Sequence, residues 1–99
     1  MTDRAALLTE EQITEHLPGL PGWERRGDTL HREVTLRDFT EAWGFMSMVA
    51  LAAEKLNHHP DWSNSWNKVI FDISNHDAGG LTELCFKLAS AVDKALGEV

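Results

Sequence analysis

The chain holds a single cysteine, Cys85, so no internal disulfide can form and a cysteine-based zinc site is excluded. Positive charge is scarce as well: nine Lys and Arg face sixteen Asp and Glu, for a formal net charge of −7. The basic stripe that nucleic acid demands is therefore missing, and an anionic membrane surface is disfavoured for the same reason. The longest strongly apolar stretch, around Phe45 to Ala53, is far too short to span a bilayer. Met1 to Glu11 is polar, with no basic region leading into an apolar run, so it does not read as a signal peptide. No Gly-rich phosphate loop is present, no H-E-x-x-H helix, no serine in a nucleophile-elbow pattern, no repeat and no low-complexity segment. A cytoplasmic enzyme or binding module remains.

At 99 residues the expectation is one domain, 1–99, with a single core. A chain of this size buries somewhat over about 60% of its unfolded surface, so its stability is modest and oligomerisation would add to it. The pattern of apolar residues gives the element order. Thr9 with Gln12 forms a capping box for a first helix, with Leu8 and Ile13 as its hydrophobic staple, and Pro18-Gly19 ends that helix. Gly27-Asp28 reads as a hairpin turn between Trp23–Arg26 and Thr29–Leu36. In the second of these strands Leu30, Val34 and Leu36 share one face and His31, Glu33 and Thr35 the other, while Arg32 breaks the alternation.

Asp38 with Glu41 marks a second capping box. Phe39, Ala42, Trp43, Met46, Val49, Ala50, Ala53 and Leu56 then recur at three- and four-residue steps, which predicts a helix to about Leu56. Residues 61–74 read as extended, split by a bend near Asn64 or Asn67, with Val69, Phe71 and Ile73 on one face. Thr82 caps a last helix, with Leu81 and Phe86 as staple and Leu84, Cys85, Leu88, Val92, Ala95 and Leu96 as its buried stripe. The order αββαββα predicts the α+β class, an antiparallel sheet covered on one face by helices. Trp66 is expected in the core, and Trp62 fits either core or ligand contact.

Chemistry concentrates in two segments. Glu54-Lys55-Leu56-Asn57-His58-His59-Pro60-Asp61-Trp62 closes the long helix, and Ser74-Asn75-His76-Asp77 follows the last strand. Imidazole exchanges protons near neutrality, so three histidines on one pocket would suit acid–base work on a small neutral molecule. His58 and His59 can share a pocket only if the backbone turns between the helix end and Pro60, and Pro60 disfavours helical geometry at His59. The blander reading is three surface histidines near loops. A metal site completed by Asp61 or Asp77 is a sharper rival, against which stands the absence of helical ligand spacing. Cys85, on the apolar face of its helix, reads as packing.

The stretches "AEKLNHHPDWSNSWNKV" and "ISNHDAGGLT", at their separation, resemble the pterin-4a-carbinolamine dehydratases, and "FTEAWGFMSMVALAAEKL" is similar to that family's long central helix. The similarity covers roughly Thr9 to Leu96. It implies a four-stranded antiparallel sheet with three helices on one side, assembled as dimers or tetramers. It further implies loss of water from a 4a-hydroxytetrahydropterin, with no metal or organic cofactor, in recycling the cofactor of aromatic amino acid hydroxylases. By this resemblance His58, His59 and His76 match the catalytic histidines. Asn57 and Ser74, Asn75, His76 and Asp77 match positions that hold the pterin, and Trp62 is an apolar wall. Family relatives in animals also serve as dimerisation cofactors of a transcription factor, which implies an alternative role in protein interaction. One departure stands out: Leu84-Cys85 replaces the family's usual Arg-Asp, and a cysteine there is expected to remove a partner for the helix cap.

Overall fold

The computed structural model describes residues 6–99, so the first five positions of the Met1–Glu11 stretch lie outside the described residues. Helix α1 runs Glu10–His16 and continues as a 3-10 turn, Leu17–Gly19. Strands β1 (Glu24–Arg26) and β2 (Thr29–Thr35) follow, then helix α2 (Phe39–Leu56), strands β3 (Asp61–Ser65) and β4 (Lys68–Ile73), and helix α3 (Glu83–Leu96). The strands form one antiparallel sheet in the order β1-β2-β4-β3. The element order and the α+β class are those the sequence predicts. Two hairpins lie side by side, and α2 is the crossover that carries the chain from the end of β2 to the outer strand β3.

Local chemistry sets most boundaries. Thr9 and Gln12 complete the reciprocal capping box, and Gly27 supplies the positive φ (59°) that the β1–β2 turn needs. At α2 only half of the expected box forms. The Asp38 side chain accepts from the Glu41 backbone N–H, but the Glu41 carboxylate accepts from Arg37 N–H. The helix start is still satisfied, one residue further out than a standard box.

Register explains the core. Leu30 pairs with Ile73, Val34 with Val69 and Trp62 with Phe71, so these side chains share one face of the sheet. Onto that face α2 lowers Ala42, Phe45, Val49 and Ala53, and α3 lowers Cys85, Phe86, Leu88, Ala89, Val92 and Ala95. Phe71 is the hub, with the rings of Trp23, Phe45 and Trp62 centred 6.0, 5.8 and 5.8 Å away.

Three expectations about burial are corrected. On α2 the buried stripe centres on Phe45, while Phe39, Trp43 and Ala50 face outward. This helix carries apolar residues nearly all round, so spacing alone does not fix which side meets the sheet. On α3 the stripe gains Phe86 and Ala89, and Leu84 and Leu96 sit only half-buried at its margins. Trp66 is exposed rather than in the core, because it sits in the β3–β4 turn with positive φ (52°), beyond the helices' cover.

Arg32, which breaks the alternation of β2, points to the helix side. Its guanidinium reaches Asp93 of α3, with Nη1 donating to Oδ1 at 2.7 Å. The same oxygen accepts from Trp23 Nε1 at 2.8 Å. A charged residue thus occupies an inward position because a carboxylate from the covering helix meets it there.

Candidate active site

The site begins with the way α2 ends. Asn57 adopts a left-handed conformation (φ 53°), which Asn tolerates better than most residues. The amide of Asn57 then returns to Glu54 O and that of His58 to Ala53 O, both at 3.1 Å, the paired bonds of a Schellman motif. This reversal sends the two adjacent histidines in different directions. His58 turns under the helix and is 8% exposed. His59 stays outside, its Nε2 2.8 Å from Glu54 Oε1, one turn back on the helix surface. The turn expected between the helix end and Pro60 is present, at Asn57.

The third histidine comes from the loop after β4. Asn75 closes that loop on itself: its amide donates to Gly80 O, its carbonyl accepts from the amides of Gly79 and Gly80, and its side-chain oxygen accepts from Ala78 N–H. Gly79, at φ 83°, permits the bend. His76 rides on this loop with Nε2 3.0 Å from Asp61 Oδ2, at the start of β3. Pairs this exposed add little to stability, about 0–1 kcal/mol each, but they fix where each ring sits.

Electrostatics tie the three rings together. The pKa of His58 is lowered, first by burial, then by the neighbouring charge of His59, with His76 contributing in the same direction. A hydrogen bond to the Ser74 backbone works against these. His59 and His76 therefore both lie near enough to act on the buried ring. Trp62 is half-buried, its ring against Phe71, and so serves the core with one side. Asn57 contributes through its backbone turn, and the side-chain oxygen of Asn75 is committed to its own loop. Asp77 is exposed. Among the described residues no three His, Cys, Asp or Glu side chains are grouped so as to hold a metal ion, and no helix is long and apolar enough to cross a membrane.

Sequence reasoning missed the contact beneath the histidines. Cys85 Sγ lies 3.5 Å from His58 Nε2, fully buried. It also lies 3.5 Å from Thr82 N, whose N–H it accepts, so the cysteine keeps the helix-cap contact it was expected to lose. A polarisable sulfur is long enough to reach the cap. Glu54 and Asp61, read as motif members or metal candidates, are instead the carboxylates of the two outer imidazoles. His31 is a further buried histidine, on the opposite face of the sheet, with Nδ1 2.7 Å from Asp72 Oδ1.

Comparison with known proteins gives relatives over nearly the whole chain. The family model described as "Pterin 4 alpha carbinolamine dehydratase" matches residues 6–95. A protein of Sinorhizobium fredii, provisionally named pterin-4-alpha-carbinolamine dehydratase, is 49% identical over 93% of this chain and 90% of its own. One of Prochlorococcus marinus with the same provisional name is 44% identical over 89% and 92%. Among solved structures, a transcriptional coactivator/pterin dehydratase from Brucella melitensis superposes with TM-score 0.85 at 39% identity, covering 89% of this chain and 96% of that one. A pterin dehydratase-like RuBisCO assembly factor of the alpha-carboxysome shares the fold, with TM-score 0.63 at 17% identity over 76% and 87%. On the match of the family model and of these relatives over nearly its whole length, the chain belongs to the pterin-4a-carbinolamine dehydratase family.

Proposed function

We propose that this protein dehydrates a 4a-hydroxytetrahydropterin to the quinonoid dihydropterin, as a hydro-lyase that recycles a tetrahydropterin. The observation that carries the reading is two exposed imidazoles, His59 and His76, each braced by a carboxylate and both acting on the buried ring of His58. The reaction breaks the C4a–O bond and the N5–H bond. An acid must protonate the departing hydroxyl, which leaves as water, and a base must take the N5 proton. Each such transfer by a placed side chain contributes about 10²–10⁴-fold.

His59 and His76 have the exposure for these transfers. With Nε2 on Glu54 or Asp61, each ring turns its other nitrogen to a substrate, and the carboxylate steadies the imidazolium that forms. The contact of His58 with Cys85 fits a supporting place beneath them, so the two proton transfers fall to His59 and His76. The backbone of Ser74 to Asp77 and the outer edge of Trp62 border the place the bicyclic ring would occupy. Purified protein should accelerate decay of 4a-hydroxytetrahydropterin. His59→Ala and His76→Ala should each lower the rate by at least about tenfold, and a wild-type rate equal to buffer would remove the proposal.

A second reading, a protein-interaction module, is favoured by the outward face of α2. Phe39, Trp43 and Leu51 are 49%, 59% and 75% exposed there. A homo-oligomer or a foreign partner would cover them. Sedimentation of the purified chain decides between a free and an occupied face. Dehydratase turnover is independent of that answer, since site and face do not share these residues.

A further inference from the structure

Cys85 is not ordinary packing. Its sulfur is fully buried, and three polar atoms converge on it: Thr82 N at 3.5 Å, Thr82 Oγ1 at 3.6 Å and His58 Nε2 at 3.5 Å. Thr82 is itself fully buried and caps α3. The Thr82 N–H can only donate, so the sulfur accepts there. The thiol proton then has two acceptors in reach, a hydroxyl oxygen and an imidazole nitrogen, and the imidazole is the more basic. If Nε2 accepts, the neutral ring carries its proton on Nδ1. The Ser74 backbone acts on the ring in the sense that favours its protonated form, as a carbonyl facing a ring N–H does. The contacts around the sulfur are mutually complementary in this arrangement.

We propose that Cys85 is a positioning residue whose S–H donates to His58 Nε2 and holds the buried imidazole in the neutral Nδ1–H tautomer. This leaves charge in the site to His59 and His76. The inference rests on the reading of the three histidines as one catalytic site, while its direct test does not depend on turnover. Burial raises the pKa of the thiol and lowers that of the imidazole, so both partners stay uncharged near neutrality. A carboxylate at position 85 would act in the opposite sense and draw a proton onto His58. The titratable groups acting on this ring are Cys85 from α3, His59 beyond α2 and His76 beyond β4.

The experiment is nitrogen NMR of imidazole-labelled protein between pH 5 and 8, with Cys85→Ser, Cys85→Ala and Cys85→Asp alongside. Wild type and Cys85→Ser should show Nε2 of His58 unprotonated and Nδ1 protonated. Cys85→Ala should lose that single tautomer, and Cys85→Asp should show both nitrogens protonated at pH 7. In the dehydratase assay Cys85→Ala should lose about threefold to tenfold in kcat at unchanged KM, the size of one hydrogen bond, with Ser restoring it. A wild-type ring protonated on Nε2, or an alanine variant with an unchanged His58 spectrum, overturns the inference. A locked tautomer in a protein without turnover instead upholds the proton arrangement and removes the catalytic reading. Thermal melts of the serine and alanine variants separate any loss of fold from loss of the tautomer.

Discussion

Replacing Asp93 tests why a charged residue sits on the inner face of β2. One oxygen, Asp93 Oδ1, accepts from Trp23 Nε1 at 2.8 Å and from Arg32 Nη1 at 2.7 Å. Trp23 is 7% exposed, so Asp93→Ala leaves its N–H without a partner in a nearly dry place. A hydrogen bond to a charged acceptor contributes about 1.5–3 kcal/mol. The Arg32–Asp93 side chains are 22% and 29% exposed, which places the pair between two regimes. Breaking a fully buried pair costs about 3–5 kcal/mol, and an exposed one about 0–1 kcal/mol. Since water can reach the freed guanidinium, we take about 1 kcal/mol for the pair, and about 2.5–4 kcal/mol for Asp93→Ala in all. In a chain of this length that lowers Tm by about 10–30 °C. Asp93→Asn keeps an acceptor for the indole and should lose about 1 kcal/mol. Urea denaturation of the single variants, Arg32→Met and the double variant gives the coupling, expected at about 1 kcal/mol. A loss below about 0.5 kcal/mol for Asp93→Ala, with no coupling to Arg32, would refute the claim that this carboxylate is what seats Arg32 inward.

Two further outcomes follow from the packing and the buried ring. Phe45→Ala should cost about 3–5 kcal/mol, whereas Trp43→Ala, one position off the buried stripe, should stay within about 0.5 kcal/mol in the isolated chain; similar losses for both by urea titration would mean the helix face is misassigned. The folded pKa of His58 lies below the ordinary 6.5, so the unfolded chain takes up this proton first as pH falls. Its contribution is therefore fully present above about 6.5 and is lost as pH drops through the lower folded value. The slope of stability against pH in the window below 6.5 should shrink in His58→Gln, and an identical slope would contradict the assigned burial.

The order of elements was legible because capping residues, turn glycines and alternation act over a few residues and agree with one another. Thr9 with Gln12, Gly27 and the Val69-Phe71-Ile73 alternation all appear in the structure as read. What was not legible was rotation and reach. On α2, Trp43 and Phe45 are equally apolar, and only the position of the sheet decides that Phe45 is buried. Arg32 looked like a flaw in a strand because its partner lies 61 residues away on another element. Trp66 looked like core because its identity outweighed its place, one residue past the end of β3.

The site shows the same division more sharply. That the chain turns between the long helix and the next strand was readable from Pro60, and the spacing of the two segments made His58, His59 and His76 the candidates. What each ring does was not readable, because it depends on what lies underneath. Two adjacent histidines have the same chemistry in sequence, yet the Schellman turn at Asn57 gives one of them a carboxylate in water and the other a thiol in the core. The inner ring is thereby held where charge is costly. The proposed dehydration, which both gives and takes a proton, calls for groups whose environments differ. Here one left-handed residue at the end of a helix creates that difference between neighbours in the chain.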